Sequence, residues 1–225
     1  MASSLDNPVL ASLTGSQTRF AEREGDAARY EDDVAPFAGL ADGAWDDLAA
    51  VAGPGEVVTL AGWSGTAPEG WEVLMRIPGV QLVDDGVAGR EEPEAVRLTA
   101  ADVPEMLDLV ARTEPGPFRK RTIELGTYLG IRSGGALVAM AGERMRPPGF
   151  TEISAVCTDP AHRGQGLATR LVLALVAGIR ARGETPFLHA SAANIGAIGL
   201  YEALGFRKRR DLLFASLRVP DARNA

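Results

Sequence analysis

A glycine-rich turn joins a predicted strand to a long apolar helix, and this connection restricts the folds open to the chain. Apolar and polar residues alternate along the strand Phe150–Thr158, and the helix is predicted over about residues 165–182. The turn, "DPAHRGQG", sets two glycines beside helix amides that lack an intrahelical partner. Glycine admits a bulky anion, and the helix dipole adds positive charge. The pattern predicts an α/β fold with an anion site here, and a plain tight turn is the alternative.

Two well-known nucleotide-binding motifs also place glycines before a helix, and neither fits this turn. A P-loop requires a Lys directly after its last glycine, whereas Leu167 follows Gly166. A dinucleotide-binding turn requires a third glycine where this chain has Thr169, and it lies directly after its strand. The sequence therefore disfavours both a nucleoside triphosphate and a dinucleotide as the anion.

The order of predicted elements divides the chain into two parts. Residues 85–95, "DGVAGREEPEA", are rich in Gly, Pro and acidic residues and are typical of a linker. From Val96 onward the patterns predict the order β-α-β-β-β-α-β-α-β. We therefore predict two parts, residues 1–95 and residues 96–225, with the boundary at this linker.

The N-terminal region carries weaker patterns. Residues 55–63, "GEVVTLAGW", predict a strand bounded by glycines. The stretch "GWEVLMRIPGVQLVDD" predicts two short strands around a turn at Pro78 and Gly79. The first 20 residues or so are predicted to be loosely ordered.

The stretch "VCTDPAHRGQGLA" resembles the acetyl-CoA signature of the GNAT superfamily of N-acetyltransferases, in which Arg/Gln-x-x-Gly-x-Gly/Ala follows a strand. The matching positions are Arg163, Gly166 and Ala168. The resemblance continues through "PFLHASAANIGAIGLYEALGF" and covers roughly residues 96–219. It implies an α/β fold with a mixed, mostly antiparallel sheet flanked by helices. Residues 96–225 would be the catalytic domain, beside an N-terminal accessory α/β region, residues 1–95.

The resemblance also implies a cofactor site. Acetyl-CoA would be the co-substrate, with its pyrophosphate at the glycine turn, and no metal is expected. The implied contacts are the strand end Val156, Cys157 and Thr158, the turn and helix start Arg163, Gly164, Gln165, Gly166, Leu167, Ala168 and Thr169, and the downstream Asn194 and Tyr201.

Two side chains are implied to take part in the chemistry. Tyr201 would protonate the coenzyme A thiolate, and Glu152 would remove the amine proton, often through water. The alternation along the strand puts Glu152, Ser154 and Val156 on one face. His189 is an alternative base, although a core histidine with satisfied hydrogen bonds is favoured. Cys157 is interpreted as a packing residue.

Three further features border the expected acceptor site. Glu143 and Tyr128 lie on a predicted hairpin that could face it. The loop "TEPGPF" occupies the position of a mobile wall in the family. The basic run at residues 119–121 is interpreted as a solvated face.

The function implied is transfer of an acetyl group from acetyl-CoA to a primary amine, by direct attack in a ternary complex. The acceptor is a small-molecule amine or a peptide amine. The alternative is a non-catalytic acyl-CoA-binding module that senses or regulates, which needs neither Glu152 nor Tyr201. Family members often dimerise, so a homodimer is compatible with the resemblance.

Composition and charge exclude other classes of protein. The net charge of −7 disfavours a general nucleic-acid binder. Residues 1–95 carry 18 acidic and 5 basic side chains, a net of −13, whereas residues 96–225 carry 12 and 18, a net of +6. A single cysteine suits a reducing cytoplasm, and we expect neither a signal peptide nor a membrane span.

Overall fold

The computed structural model of the chain describes residues 3–63 and 65–221. Five α-helices lie within these residues: Pro8–Leu13 (α1), Trp45–Ala52 (α2), Val103–Thr113 (α3), Leu167–Ala181 (α4) and Ile195–Leu204 (α5). The strands are Ala21–Glu24 (β1), Ala27–Tyr30 (β2), Phe37–Leu40 (β3), Val57–Ala61 (β4), Glu72–Asp84 (β5), Val96–Arg97 (β6), Tyr128–Ser133 (β7), Ala136–Glu143 (β8), Phe150–Thr158 (β9), Thr185–Ser191 (β10) and Phe206–Arg218 (β11).

All of these strands form one sheet, in the order β1-β2-β3-β4-β11-β5-β10-β9-β8-β7-β6. Two neighbouring pairs, β3 with β4 and β9 with β10, are parallel, and the remaining pairs are antiparallel. Each parallel pair is joined through a helix, as a crossover between parallel strands requires. The predicted fold class, a mostly antiparallel sheet flanked by helices, is confirmed, and so is the order of elements from Val96 onward.

The two parts of the chain are interleaved in this sheet. β5, the last strand of residues 1–95, lies between β10 and β11. β11, the last strand of the chain, lies between β5 and β4. Each part therefore places its final strand against strands of the other. The division into an accessory region and a catalytic domain at residue 95 stays a prediction, and the strands of both parts share one sheet within the described residues.

One prediction for the N-terminal region is wrong. Residues 72–84 form a single strand, without a turn at Pro78 and Gly79. Pro78 is tolerated because it stands where pairing with β10 begins, so its missing N–H breaks no hydrogen bond. Gly79 is required by close packing, since a Cβ there would lie 2.7 Å from the Phe214 ring and 3.1 Å from the Ala190 carbonyl oxygen.

Residues 3–20 are also more ordered than predicted, and the first two residues of the predicted segment lie outside the described residues. Asn7 caps α1 by accepting a hydrogen bond from the Leu10 amide at 3.2 Å. Leu5, Val9 and Leu13 are buried in a core cluster that includes Phe187 of β10. The sequence analysis did not predict α1, because the helix has only six residues and polar residues flank it.

The predicted linker, residues 85–95, contains no helix or strand but is bound to α4. Glu92 accepts two hydrogen bonds from the Arg170 guanidinium, at 2.8 and 2.7 Å. The Arg90 amide donates to the Leu173 carbonyl at 3.1 Å. This segment therefore holds the two parts of the chain together instead of separating them.

A bulge interrupts β9 at the place where the functional residues begin. Ala155 has a left-handed backbone, with φ of 52°, and the pairing with β8 shifts by one residue here. Ile153 and Val156 consequently pack into the same core cluster around α4. The prediction that Val156 shares a face with Glu152 and Ser154 is wrong, because the extra residue reverses the alternation after Ser154.

Candidate active site

A cavity of about 590 Å³ opens where β9 and β10 separate. The two strands pair from Phe150 and Thr185 as far as Ile153 and Leu188, and not beyond. The cavity extends from the glycine turn before α4, past α5, to residues of the N-terminal region. Ligand sites in α/β sheets commonly lie at such strand ends.

The glycine turn is open and electropositive. Gly164 and Gly166 have left-handed backbones, with φ of 78° and 73°, and a Cβ at either position would meet nothing within 4 Å. Gly166 is the N-cap of α4, and the first turn of the helix contains no acidic residue. Arg163 lines the cavity and forms no ion pair within the described part of the chain. The turn therefore has free amides and a cation where an anion is expected to bind.

Val156, Cys157 and Thr158 form one wall of the cavity. The Thr158 hydroxyl is buried and has no hydrogen-bond partner among the described residues. Burial raises the pKa of the Cys157 thiol, so this sulfur stays protonated and is a poor nucleophile. This environment agrees with the interpretation of Cys157 as a packing residue.

Asn194 and Tyr201 both line the cavity from α5. Asn194 is the N-cap of the helix, just before its first turn, and its side-chain oxygen accepts from the Ala197 amide at 3.1 Å. Its amide NH₂ group has no acceptor among the described residues and is available to donate. Tyr201 is 7% exposed, and its burial, with Cys157 nearby, raises the pKa of its hydroxyl to about 12. The hydroxyl is therefore protonated at neutral pH.

Glu152 is fully buried in a charged network behind the cavity wall. Its carboxylate accepts two hydrogen bonds from Arg144, at 2.8 and 2.7 Å, and contacts His189 Nδ1 at 2.7 Å. Burial alone would raise the pKa of Glu152, but the Arg144 charge and the bonds from Arg144 and His189 hold it well below its usual range. Arg144 and His189 line the cavity, whereas Glu152 does not.

The hydrogen bonds around His189 fix its tautomer. Gln81 Oε1 accepts from Arg209 at 2.9 Å, and Gln81 Nε2 donates to the Leu5 carbonyl at 3.0 Å. The amide NH₂ group of Gln81 therefore faces His189 Nε2, 3.0 Å away, which must accept. Nδ1 then carries the proton and donates it to Glu152. His189 has no free ring nitrogen, in agreement with the favoured interpretation of a satisfied histidine.

The N-terminal region supplies one wall of the cavity, although its individual residues were not predicted. Phe37, Thr59, Met75 and Ile77 line the cavity opposite α5. Arg144, also missed, lies with its guanidinium 4.7 Å from the centroid of the Phe37 ring. A charged residue directly after the apolar run of β8 was the available signal, since a buried charge requires a partner.

Glu114 is the only carboxylate among the described residues that line the cavity. It ends α3 in a left-handed conformation, with φ of 47°, and opens the loop Glu114–Pro117 that forms the rim. This loop is the expected acceptor wall, but Glu114 was not singled out from the sequence. A left-handed backbone at a residue other than glycine is strained and often marks a functional site.

The remaining acceptor candidates lie elsewhere. Tyr128 is fully buried against the Phe118 ring, and Glu143 pairs with Arg182 at 2.8 Å; neither lines the cavity. Arg119 and Arg121 pair with the acidic side chains of Asp32, Glu31 and Glu124. The basic run at residues 119–121 is thus largely neutralised by its neighbours.

The chain resembles known proteins in sequence as well as in fold. Residues 128–215 match the family model "FR47-like protein". The N-alpha-acetyltransferase RimI of Mycobacterium tuberculosis is 34% identical over 122 residues, which are 49% of this chain and 76% of that protein. The chain belongs to the GNAT family of N-acetyltransferases. The resemblance drawn from Arg163, Gly166 and Ala168 is therefore confirmed.

Other matches of this GNAT protein extend into its N-terminal region. A GNAT-family acetyltransferase structure from Novosphingobium aromaticivorans is 42% identical, with a TM-score of 0.90, over 96% of this chain and 98% of that one. The GCN5-related N-acetyltransferase of Kribbella flavida shares the fold at 16% identity, with a TM-score of 0.63, over 99% and 98% of the chains. The mycothiol acetyltransferase of Thermobispora bispora is 43% identical over 58 residues, 25% of this chain and 20% of that protein.

The GNAT protein was also compared with the features of membrane-spanning and metal-binding proteins, within its described residues. In the described residues, every helix is too short or too polar to cross a membrane. The same residues contain no group of His, Cys, Asp and Glu side chains arranged to hold a metal ion.

Proposed function

We propose that this protein is an acetyl-CoA-dependent N-acetyltransferase that transfers the acetyl group to a primary amine by direct attack. One observation carries the proposal. A single cavity joins an open anion site at Arg163, a buried protonated Tyr201, and a wall from the N-terminal region that contains Phe37. A donor and an acceptor can therefore meet inside one protein cavity.

Three observations support acetyl-CoA as the donor. The backbone at Gly164 and Gly166 leaves room for a pyrophosphate. The Asn194 amide NH₂ group and the orphan Thr158 hydroxyl are available to a polar pantetheine arm. The cofactor would supply an activated acetyl thioester. Arg163 and the first amides of α4 would hold its phosphates, and the main chain of Val156–Thr158 would orient the acyl group.

Acetyl transfer to a neutral amine releases one proton at nitrogen and requires one at the departing sulfur. In this proposal Tyr201 donates the proton that the departing sulfur requires, because burial keeps the Tyr201 hydroxyl protonated. The first proton leaves to solvent water, because the Glu152 carboxylate does not border the cavity and already accepts hydrogen bonds from Arg144 and His189. A carboxylate with so low a pKa is a weak base, so the amine must arrive unprotonated.

The names of the two relatives from Mycobacterium tuberculosis and Thermobispora bispora support an amine as the acceptor. One is an N-alpha-acetyltransferase, and the other is a mycothiol acetyltransferase. We propose a primary amine on either a peptide or a small molecule. An α-amino group, with a pKa of about 8, is neutral more often at physiological pH than a lysine side chain.

This account predicts the pH dependence of turnover. Between pH 6 and 9, Glu152 stays ionised because its pKa is lowered, and Tyr201 stays protonated because its pKa is raised to about 12. We expect kcat/KM to rise with pH and level off near the pKa of the acceptor amine. Measuring the profile with two amines of different pKa checks this. An inflection that stays fixed for both would identify a titrating enzyme group and contradict the account.

Replacing Arg163 with Ala is expected to weaken acetyl-CoA binding about tenfold, because one charge-assisted hydrogen bond to phosphate is lost. Isothermal titration calorimetry with acetyl-CoA measures the change. Arg23→Ala is the matched control, since Arg23 is an exposed arginine of β1 outside the cavity. Equal affinities in both variants would remove Arg163 from the cofactor site.

Ligand-induced thermal stabilisation tests the cofactor assignment. Acetyl-CoA at about 100 times its dissociation constant should stabilise the fold by about 2.7 kcal/mol, while NAD and ATP should have no effect. Stabilisation by NAD alone would overturn the proposal. Stabilisation by acetyl-CoA without turnover of any amine would favour the alternative, a non-catalytic acyl-CoA-binding module.

A further inference from the structure

Part of β5 presents an unpaired edge to the cavity. β5 pairs with β11 along its whole length, from Glu72 to Asp84. On its other side, the pairing with β10 begins only at Gly79. Residues 72–77 therefore have no strand beside them on that side within the described part of the chain. An unpaired strand edge is a template for an added strand.

The main-chain groups at this edge can be assigned. The Pro78 carbonyl accepts a hydrogen bond from the Ala192 amide at 2.9 Å, so it points away from β11. Alternate residues of a strand direct their main-chain groups to the same side. The N–H and C=O groups of Arg76 consequently point to the open edge, and the Arg76 side chain lies 5.5 Å from the Trp63 ring centroid.

The side chains beside Arg76 are apolar and exposed. Met75 and Ile77 are 44% and 37% exposed, and both line the cavity together with Phe214. When a peptide adds as a strand to a sheet edge, main-chain hydrogen bonds give affinity and side-chain contacts give specificity. The open edge of β5 offers both, because exposed apolar side chains lie next to unpaired main-chain groups.

The charge of the rim fits one end of such a peptide. Glu114 lines the same cavity and forms no ion pair within the described part of the chain. The cavity also contains Arg144, but Glu152 neutralises that charge at 2.7 Å. Arg163, the other unpaired charge that lines the cavity, lies at the glycine turn on the cofactor side. Glu114 is therefore the uncompensated charge on the acceptor side, and it attracts the ammonium group of a polypeptide N-terminus during its approach.

We infer that the acceptor is the extended N-terminal segment of a polypeptide, which adds as a strand to the open edge of β5 at Arg76 and presents its α-amine to the cavity. The inference rests on the proposed N-acetyltransferase function and names the class of its acceptor. A small amine would leave the edge unused.

The experiment compares alanine amide with a short alanine peptide that ends in an arginine amide, using the intact enzyme and acetyl-CoA. Two further peptides carry one N-methyl group each, at the second or the third residue. We expect the unmodified peptide to exceed alanine amide in kcat/KM by at least tenfold. One of the methylated peptides should lose about tenfold, because its N–H can no longer pair with Arg76.

Arg76→Pro tests the same edge from the enzyme. It removes the outward N–H without breaking a hydrogen bond to β11, and Arg76→Ala is the matched control that keeps the N–H. We expect kcat/KM for the peptide to be about tenfold lower in the Pro variant than in the Ala variant. The thermal shift with acetyl-CoA verifies that both variants are folded. If the Pro variant does not fold, the methylated peptides alone test strand addition at Arg76.

The outcomes separate the two proposals. Acetylation of alanine amide at the same efficiency as the peptide, with no effect of methylation, would overturn strand addition and leave the N-acetyltransferase function standing. Failure to acetylate any amine, despite binding of acetyl-CoA, would overturn the proposed function itself.

Discussion

Replacing Tyr201 with Phe is expected to lower kcat by about 100- to 10,000-fold, the range over which general acid catalysis contributes. The substitution removes only the hydroxyl, which burial keeps protonated and which lies in the cavity beside Cys157. The ring remains packed at 6.1 Å from the Phe206 ring. Binding of acetyl-CoA should therefore change little, and the loss should appear in kcat.

The matched control is Tyr128→Phe. The Tyr128 hydroxyl is buried without a hydrogen-bond partner among the described residues, and it does not line the cavity. Steady-state kinetics on both variants, with calorimetry for acetyl-CoA binding, separates chemistry from affinity. Unchanged turnover of the Tyr201 variant would remove it as the acid. Equal losses in the two variants would point to a general effect of removing a buried hydroxyl.

Replacing Glu152 with Gln is expected to destabilise the fold by about 3–5 kcal/mol, because it leaves the buried Arg144 guanidinium without a counter-charge. For a protein of this size, each kcal/mol lowers the melting temperature by roughly 2–4 °C. The control is Glu72→Gln, which breaks an exposed ion pair with Arg218 at 3.0 Å and should change stability by less than about 1 kcal/mol. Thermal and denaturant unfolding measure both.

A second variant tests the physical reason for this loss. If the unpaired Arg144 charge causes it, the double variant R144M/E152Q should be more stable than E152Q alone. The lowered pKa of Glu152 adds a pH signature. Its stabilisation is present above the unfolded pKa of about 4.3 and is lost as pH falls toward the folded pKa. A Glu152→Gln protein as stable as the original at neutral pH would contradict the account.

Local patterns predicted the elements that form the cofactor side. The alternation of β9, the glycines at 164 and 166, and the apolar period of α4 are each encoded in a few adjacent residues. The hairpin of β7 and β8 was equally accessible, because Gly134 and Gly135 adopt the left-handed conformations that its turn requires. Periodicity and turn chemistry act over short distances, so one sequence is enough to find them.

The acceptor side depends on contacts between distant residues and was largely missed. Phe37 and Met75 reach the cavity only because β5 is inserted between β10 and β11, and no local pattern predicts such an insertion. The bulge at Ala155 reversed which residues of β9 share a face after Ser154, and the alternation in the sequence does not show it. Glu152 looked like a free strand carboxylate, although its partners Arg144 and His189 come from neighbouring strands.

The most direct test of the central claim follows the acetyl group itself. The enzyme is incubated with deuterium-labelled acetyl-CoA and alanine amide, and mass spectrometry follows the label while free thiol reports coenzyme A release. We predict the labelled acetyl group on the amine nitrogen, with release of coenzyme A in equal amount. Binding of acetyl-CoA with no label on this or any other amine would contradict the claim and leave the protein as a non-catalytic binder.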